Sequence, residues 1–269
     1  MSGDLTPQAT LAQVYDESAA AYDEHWAPAL NRHARELVAA VPSTPGVART
    51  AVDVAAGAGT LTPALRELVG RGGIVLALDR SHGMLRRAPA DVPRLQADAA
   101  HLPLADATAD VLVLAFVLFL LPDARPAVAE AARVLRPGGW LLAATWGSQD
   151  GTGADEVVRE ELDAAGAPPF PALPRSDELT DTPERMAELL GAAGFEDIRT
   201  SSRPLDAVFD PASALAMRTG SGNLGWRYAR LDPTAQHAVR RRAATRLADL
   251  PAERFVDRSE VLLTTARRR

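Results

Sequence analysis

Apolar segments and helical segments alternate along the chain up to residue 146, and this alternation constrains the fold more than any other feature. Each apolar segment is a near-continuous run, as in strands that are buried on both faces of a parallel sheet. Five strand-and-helix units in succession predict an α/β protein whose parallel sheet is covered by helices on both faces. The predicted strands are 49–55, 74–78, 92–97, 110–116 and 140–146, and the helices between them are 61–70, 81–88 and 123–136.

The segments outside this alternation predict a helical start and a different end to the sheet. Thr182 can cap a helix that begins with Pro183. Two further strands with a helix between them would give the sheet a hairpin-like end. These outer elements are the predicted helices 8–25, 29–41, 183–194 and 232–249 and the predicted strands near 195–209 and 256–266.

Two residue types are absent, and their absence excludes several kinds of chemistry. The chain has no Cys, which excludes disulfides, zinc–thiolate sites, iron–sulfur clusters and a cysteine nucleophile. All 29 basic residues are Arg, which excludes a Schiff-base Lys and a P-loop Lys. The formal net charge of −6 gives no attraction to nucleic acid or anionic lipid, and we interpret the arginine runs 240–242 and 267–269 as solvated surface. We therefore expect a small-molecule partner and neither nucleic acid nor a membrane.

The chain also lacks the patterns of export and of membrane insertion. Its first residues contain neither a basic stretch nor an apolar core, so no secretory signal is predicted. The longest apolar run, 111–121, is too short to span a bilayer. These patterns predict a soluble cytoplasmic protein, and they leave open whether two copies form a homodimer.

A glycine-containing turn between the first strand and the next helix is typical of a nucleotide site. Small residues in 53–60 let the backbone approach a ligand, and the start of the helix presents free N–H groups. Asp79 ends the second strand, 20 residues after Gly59, where a carboxylate can accept both ribose hydroxyls of NAD or of another adenosyl cofactor. A dinucleotide fingerprint that starts at Gly57 would have Gly at position 62, where this chain has Thr62. This difference argues against NAD as the cofactor. Alone, the turn is also compatible with a purely structural connection.

Several later motifs follow at a spacing that is typical of one family. Asp98 and Ala99 come after the third strand, the stretch 102–106 (Leu-Pro-Leu-Ala-Asp) follows, Asp110 opens the fourth strand, and 135–139 (Leu-Arg-Pro-Gly-Gly) precedes the fifth. With these motifs the chain resembles the class I S-adenosylmethionine-dependent methyltransferases. Within them it is most similar to the small-molecule type 11 group, which is allied to ubiquinone and menaquinone biosynthesis. The resemblance runs from about Tyr15 to Trp146, which is about half of the chain.

The resemblance implies a fold, a domain organisation and a cofactor. The fold would be a Rossmann-like, seven-stranded, mostly parallel sheet with helices on both faces, an antiparallel last strand, an N-terminal helical lid and helical insertions. The lid would comprise 1–44 and the S-adenosylmethionine-binding domain 45–269, with substrate-lid segments at about 147–180 and 211–250. The implied cofactor is S-adenosyl-L-methionine, which leaves as S-adenosyl-L-homocysteine.

The resemblance also implies a role for each residue that matches a family motif. The methionine half of the cofactor would lie against the turn after the first strand, and the adenine beside the ends of the second and third strands. The cofactor-binding residues implied in this way are Tyr15, Asp53, Ala55, Gly57 and Gly59 for the methionine half, Asp79 for the ribose, Arg80, Met84, Asp98 and Ala99 for the adenine, and Ala115 and Phe116 beneath the sulfonium.

The acceptor side departs from the family pattern. Many members have one or two His before Leu-Pro-Asp, where this chain has Phe119 and Leu120, so we expect an apolar wall there. Ala55 stands where many members have Gly. His25 is the candidate catalytic base, with a surface or packing His as the alternative. The candidate substrate-binding residues are Tyr22, Trp26, Phe119, Trp146, Arg218, Trp226 and Arg227.

Among these, Arg218 and Arg227 lie in a glycine-rich, aromatic and basic segment, 211–231. Because Arg is the only permanently charged cation in the chain, we predict that one of them holds a carboxylate or phosphate of the acceptor. The alternative interpretation of the segment is a mobile loop between surface helices. No metal is expected, because the sequence shows no clustered acidic ligand set.

Together these patterns predict methyl transfer to a small, fairly hydrophobic metabolite, with oxygen favoured over nitrogen and carbon as the acceptor atom. The residue usage suggests a GC-rich source and, by association, secondary metabolism. Displacement at a sulfonium depends mainly on alignment, and it needs a general base only where the acceptor keeps its proton. The alternative is a fold that binds the cofactor or its product without methyl transfer, as a cyclase or a binding module.

Overall fold

Strands and helices alternate from Thr50 to Trp146 as the sequence predicts. The structure is a computed structural model that describes residues 7–41 and 49–269. The predicted boundary between residues 44 and 45 lies outside the described residues. The elements are α1 (Pro7–Ala21), a π-helical stretch (Tyr22–Trp26), α2 (Ala27–Ala39), β1 (Thr50–Val54), α3 (Thr62–Val69), β2 (Ile74–Asp79), α4 (His82–Leu85), β3 (Arg94–Gln96), β4 (Ala109–Ala115), α5 (Arg125–Val134), β5 (Leu135–Trp146), α6 (Gly153–Ala164), α7 (Asp177–Thr180), α8 (Pro183–Ala192), β6 (Phe195–Pro204), β7 (Ala207–Val208), α9 (Pro211–Gly220), α10 (Gly222–Ala229), α11 (Pro233–Ala248), β8 (Val256–Asp257) and β9 (Glu260–Arg268).

Seven strands of the described chain form one sheet in the order β3-β2-β1-β4-β5-β9-β6. The pairs β1–β2, β1–β4, β2–β3 and β4–β5 are parallel, and β9 is antiparallel to β5. The predicted mostly parallel sheet with an antiparallel last strand is thus confirmed. The strand order reverses between β1 and β4, and the carboxyl ends of strands at such a reversal are where ligands bind in open α/β sheets.

The described chain divides into two compact units. The sheet unit comprises 31–41, 49–148, 174–203 and 260–269. The helical unit comprises 7–30, 149–173 and 204–259. Each has an apolar core of its own.

In the sheet unit, one face of the sheet packs against α5 and α8. Leu112, Leu114 and Leu141 on the strands belong to the same apolar cluster as Val128 of α5 and Leu190 of α8, and each is at most 1% exposed. The burial of each Leu contributes about 2 kcal/mol to folding. The near-continuous apolar runs in the sequence are therefore explained by strands that lie inside the unit.

In the helical unit, α6, α9, α10 and α11 surround a second core. Val239, Ala243 and Leu247 line the buried side of α11. Gly220 ends α9 close to α1, because a Cβ at Gly220 would lie 2.5 Å from the Cβ of Ala21. The glycine therefore permits a close helix approach that a larger residue would prevent.

The segment 211–231 is helical over most of its length and is not a loop. Asp210 caps α9, because its Oδ1 accepts the N–H groups of Ala212 at 2.9 Å and Ser213 at 3.0 Å. Pro211 follows as the first helical residue, which is a recognised start signal. The same Asp-Pro pair begins α11, so the sequence did contain a signal for α9.

The two predicted C-terminal strands are each divided between different sheets. β6 and β9 belong to the seven-stranded sheet, whereas β7 and β8 pair antiparallel with each other. Asp206 separates β6 from β7 with a left-handed φ of +46°. In 7–41 and 49–269, no helix combines the length and the apolar character that crossing a membrane requires.

Candidate functional site

The turn after β1 holds three residues in left-handed backbone conformations. The φ angles are +59° at Ala55, +56° at Gly57 and +79° at Gly59. Gly59 is also tightly packed, because a Cβ there would lie 2.7 Å from Cδ of Pro89. Around Gly57, no atom of the described residues lies within 4 Å of a built Cβ. Ala55 adopts its φ at a cost of about 1–2 kcal/mol, which is the consequence of having Ala where many family members have Gly.

Asp79 at the end of β2 is oriented by two backbone amides. Its Oδ2 accepts the N–H of Gly57 and its Oδ1 accepts the N–H of Ser81, each at 2.8 Å. The first of these bonds ties the end of β2 to the turn after β1. The carboxylate is therefore fixed at the edge of the sheet where the strand order reverses.

Asp53 lies within β1, just before the turn, and is almost completely buried. Its side chain is 1% exposed, and its Oδ2 has no hydrogen-bond partner among the residues that the structure describes. Burial, followed by the negative charge of Asp79, raises the pKa of Asp53 to about 7. An ionised carboxylate at this position is stabilised by a cation and is costly without one.

Asp98 begins the turn that follows β3. It forms an ion pair with Arg80, and its Oδ1 accepts the N–H of Ala100 at 3.0 Å. The neighbouring Ala99 is buried. Met84 in α4 is buried as well. Its N–H donates to the hydroxyl of Ser81 at 3.0 Å, and Ser81 thereby caps this helix. Because β1, β2 and β3 are parallel neighbours, the predicted ribose and adenine residues follow the same edge of the sheet.

At the end of β4, Ala115 is half-buried and Phe116 has a left-handed φ of +57°. For a bulky side chain such a conformation is strained, and strained residues cluster at functional sites. The ring of Phe116 packs against that of Trp146, with 5.0 Å between centroids. Both rings lie at the carboxyl ends of adjacent parallel strands.

The turn after β4 carries Phe119, which is buried, and its role in an apolar wall of the acceptor site stays a prediction. The guanidinium of Arg175 lies 5.0 Å from the centre of its ring. Ser176 fixes this contact, because its N–H bonds the Phe119 carbonyl at 3.1 Å and its hydroxyl bonds the Leu121 carbonyl at 2.9 Å. Arg175 was not predicted from the sequence, because no local pattern joins positions more than 50 residues apart.

In the helical unit, the π-helical stretch Tyr22–Trp26 carries three of the predicted acceptor-side residues. π-Helical stretches are rare in proteins, and those that occur are often found at functional sites. The rings of Tyr22 and Tyr15 pack edge to face with 5.9 Å between centroids, and Trp26 stacks on Phe209 with 6.3 Å between centroids. His25 is half-buried in the same stretch. The roles predicted for these residues stay predictions.

Arg218 in α9 is held by carboxylates of the helical unit. Its Nη2 donates to Oδ2 of Asp155 at 2.9 Å, and its Nε lies 2.9 Å from the other carboxylate oxygen. Asp257 is 4.0 Å away, and the guanidinium lies 5.6 Å from the centre of the Trp26 ring. Its predicted role as an acceptor anchor stays a prediction, and an acidic acceptor would have to compete with Asp155.

Arg227 and Trp226 in α10 also have partners within the helical unit. The Nη2 of Arg227 donates to the Asp163 carboxylate at 2.6 Å, and its Nε donates to the Pro168 carbonyl at 3.0 Å. The Trp226 ring lies 3.7 Å from the guanidinium of Arg230. This geometry does not test the acceptor-side roles of Trp226 and Arg227, which stay predictions.

Comparison with known proteins places these features in a family. A model described as a methyltransferase domain matches residues 52–143. The demethylmenaquinone methyltransferase of Mycolicibacterium vanbaalenii is 31% identical over 159 residues, which is 55% of this chain and 68% of that protein. The chain belongs to the type 11 group of class I S-adenosylmethionine-dependent methyltransferases. It spans about half the length of another such relative, the Corynebacterium urealyticum enzyme (39% identity; 41% of this chain, 47% of that protein).

Other similar proteins match this chain over most of its length. Nocamycin O-methyltransferase of Saccharothrix syringae is 28% identical over 262 residues, 89% of this chain and 90% of that protein. Two solved structures share the fold with TM-scores of 0.58. They are the [4+2]-cyclase SpnF (20% identity; 98% of this chain, 97% of that chain) and Haemonchus contortus phosphoethanolamine N-methyltransferase 2 with S-adenosyl-L-methionine (16%; 99% and 60%).

The cofactor of this methyltransferase group is S-adenosylmethionine, and the residues of the sheet unit fit it. The buried Oδ2 of Asp53 suits the cationic methionine half. The open space beside Gly57 leaves the backbone accessible to a ligand. The carboxylates of Asp79 and Asp98 are hydrogen-bond acceptors of the kind that ribose hydroxyls and an adenine amino group require.

Proposed function

We propose that the protein transfers a methyl group from S-adenosylmethionine to an oxygen atom of a small, fairly hydrophobic metabolite, in secondary metabolism. The observation that carries this proposal is the extent of the match to nocamycin O-methyltransferase, which covers 89% of this chain. The demethylmenaquinone methyltransferase of Corynebacterium urealyticum matches only 41% of this chain. The longer match extends into the segments of the helical unit, beyond the conserved domain at 52–143.

The aromatic side chains at the ends of β4 and β5 support a hydrophobic acceptor. Phe119 and Trp146 are buried, and Phe116 packs on Trp146. Aromatic rings at this edge favour an apolar or planar acceptor, because they offer large contact areas, and the indole N–H of Trp146 is the one polar group of these three side chains. The net charge of −6 supports a free metabolite over nucleic acid, and we place the reaction in the cytoplasm.

The proposed chemistry requires the protein to align two reactants. S-adenosylmethionine, when bound, supplies a methyl group on a positively charged sulfur. Asp53, Asp79 and Asp98 would hold its methionine, ribose and adenine parts and thereby fix the direction of the methyl group. Alignment of this kind can supply about 7–11 kcal/mol of the acceleration. An acceptor hydroxyl that keeps its proton at neutral pH also needs a base, and His25 is our candidate.

A labelled-methyl assay tests the proposal. The purified protein is incubated with ¹³C-methyl S-adenosylmethionine and four probes: an alkyl phenol, a long-chain carboxylic acid, an alkyl amine and a naphthohydroquinone without a ring methyl group. We expect label on oxygen of the phenol or the acid, identified by the carbon chemical shift of the product. Label on the hydroquinone ring carbon or on the amine would contradict O-methylation.

The second candidate function is a non-methylating one, and the full-length fold similarity to the cyclase SpnF favours keeping it in the test. A cyclase would change an unsaturated substrate without label transfer and without production of S-adenosylhomocysteine. We therefore measure the concentration of S-adenosylhomocysteine in the same reactions. Turnover of a polyene probe with no S-adenosylhomocysteine would replace the proposed function with this alternative.

A further inference from the structure

The turn between β3 and β4 carries the predicted adenine residues, yet it has almost no regular structure. Residues 97–108 hold a single isolated bridge, between Asp98 and His101. The turn is nevertheless anchored, because Ala99 and Leu102 are buried in the core of the sheet unit. A second set of contacts, polar and more extensive, comes from α5.

Arg133 in the last turn of α5 donates to four groups at once. Its Nη1 bonds the Leu104 carbonyl at 2.7 Å and the Asp106 carboxylate at 2.8 Å. Its Nη2 bonds the Leu102 carbonyl at 3.1 Å, and the same Nη2 and the Nε bond the two carboxylate oxygens of Glu130, each at 2.7 Å. Only the planar five-donor group of Arg can satisfy this many fixed acceptors together.

Glu130 completes the arrangement from the preceding turn of the same helix. Its Oε2 accepts the Leu102 N–H at 2.7 Å while it also holds Arg133. The hydrogen bond from Arg133 is the main reason that the pKa of Glu130 lies below its ordinary value, so the carboxylate is ionised at neutral pH. Leu102 is thus held through both its N–H and its carbonyl.

We propose that Glu130 and Arg133 are positioning residues for the adenine end of the cofactor site. They fix residues 102–106, and this fixes the adjoining Asp98 and Ala99 at the carboxyl edge of the sheet. Neither side chain needs to touch the cofactor for this effect. The proposal rests on the assignment of Asp98 to the adenine amino group and is independent of the acceptor, so it is tested by cofactor binding alone.

A comparison of two ligands separates positioning from general damage to the fold. S-adenosylhomocysteine offers an amino group to Asp98, whereas S-inosylhomocysteine has a carbonyl oxygen there and cannot donate to it. For Arg133→Met, calorimetry should show at least a tenfold weaker binding of S-adenosylhomocysteine and no more than a threefold change for S-inosylhomocysteine. The matched control is Arg125→Met, because Arg125 is an exposed residue of α5 that pairs with Asp123. Both ligands should bind that variant as they bind the wild type.

Milder variants keep the test decisive if Arg133→Met does not fold. Arg133→Lys retains the charge but not the planar fork, and Glu130→Gln retains the shape but not the charge. Each should show a smaller loss, in the same ligand-selective direction, together with faster amide hydrogen exchange at 98–106. Equal losses for the two ligands would show a merely structural role and overturn the proposal. Unchanged binding of S-adenosylhomocysteine in every variant would overturn it as well.

Discussion

Two carboxylates at the predicted cofactor edge of the sheet unit and two guanidinium groups of the helical unit are held in different ways. In the sheet unit, two backbone N–H groups orient Asp79, and the Oδ2 of Asp53 is buried without a hydrogen-bond partner among the described residues. In the helical unit, the guanidinium groups of Arg218 and Arg227 are paired with carboxylates of the same unit.

The difference separates a buried carboxylate that has no cation partner in the described chain from guanidinium groups that have carboxylate partners. A buried carboxylate without a partner lowers stability, and a bound cation would compensate for this. The guanidinium groups of Arg218 and Arg227 each have a carboxylate partner, although the buried Nε of Arg218 forms no hydrogen bond within the described residues. This contrast agrees with the prediction that Asp53 faces the cationic part of the cofactor, whereas nothing in the helical unit identifies the acceptor.

The largest expected effect concerns Asp53. Its pKa is about 7 in the folded protein and 3.8 as the ordinary value. Between these values the folded state binds more protons, so stability falls as the pH rises from about 4 to about 7. The total loss is about 4 kcal/mol. The free energy of unfolding of Asp53→Asn should equal that of the wild type near pH 4 and be larger than that of the wild type at pH 8. Urea denaturation without cofactor measures both values.

The same substitution should have the reverse effect on cofactor binding. The neutral amide cannot pair with the methionine ammonium group, so we expect about a hundredfold weaker binding of S-adenosylhomocysteine at pH 8. A variant that is more stable than the wild type and yet binds more weakly would sharpen the contrast between the two units. Equal pH profiles for the two proteins would show that Asp53 is not a strained carboxylate.

The next effect concerns Gly59, which is constrained by conformation and by packing. Gly59→Ala should lower the free energy of unfolding by about 3 kcal/mol, because it combines a left-handed φ with a contact to Pro89. Gly166→Ala is the matched control, since Gly166 has a φ of +70° at the end of α6 and no described atom within 4 Å of a built Cβ. It should cost about 1 kcal/mol. A Gly59→Ala cost no greater than that of the control would contradict the tight turn.

A smaller effect is expected in the helical unit. Arg218→Met leaves Asp155 and the buried Asp257 without their cation, and we expect a loss of about 2 kcal/mol in the free energy of unfolding. Arg240→Met, at an exposed position of α11, should change stability by less than about 0.5 kcal/mol. Binding of S-adenosylhomocysteine should not change in either variant. A tenfold loss of this binding in Arg218→Met would break the proposed division between the two units.

Steady-state kinetics with the acceptor test the two arginines of the helical unit. Once an acceptor is identified, Arg218→Ala and Arg227→Ala should raise its KM, if either guanidinium exchanges its carboxylate for an acidic group of the acceptor. Unchanged acceptor kinetics in both variants would leave these residues with a structural role only.

The smallest effect is expected at Ala55. Replacement by Gly relieves the left-handed strain but adds backbone freedom to the unfolded chain. Ala55→Gly should therefore stabilise the protein by about 0.5 kcal/mol, measured as a small rise in the midpoint of urea unfolding. A loss of stability would show that the turn tolerates Ala without strain.

The common position of the predicted cofactor residues in the fold could be predicted because it depends on local geometry. Gly57, Gly59 and Asp79 lie in consecutive strand-and-turn segments, and the backbone alone brings them to one edge of a parallel sheet. Arg218 is different, because its partner Asp155 is 63 residues away and no periodic pattern relates them. The same reason explains why Arg175 and the contacts of Arg133 were missed, whereas α9 could have been predicted from Asp210 and Pro211.

The most direct test of the central claim is a crystal structure with S-adenosylhomocysteine. We predict that both ribose hydroxyls bond the Asp79 carboxylate, that the adenine amino group bonds Asp98, and that the ammonium group lies beside Asp53. A product bound away from the carboxyl ends of β1, β2 and β3, or turned so that the adenine lies at Asp53, would contradict the account.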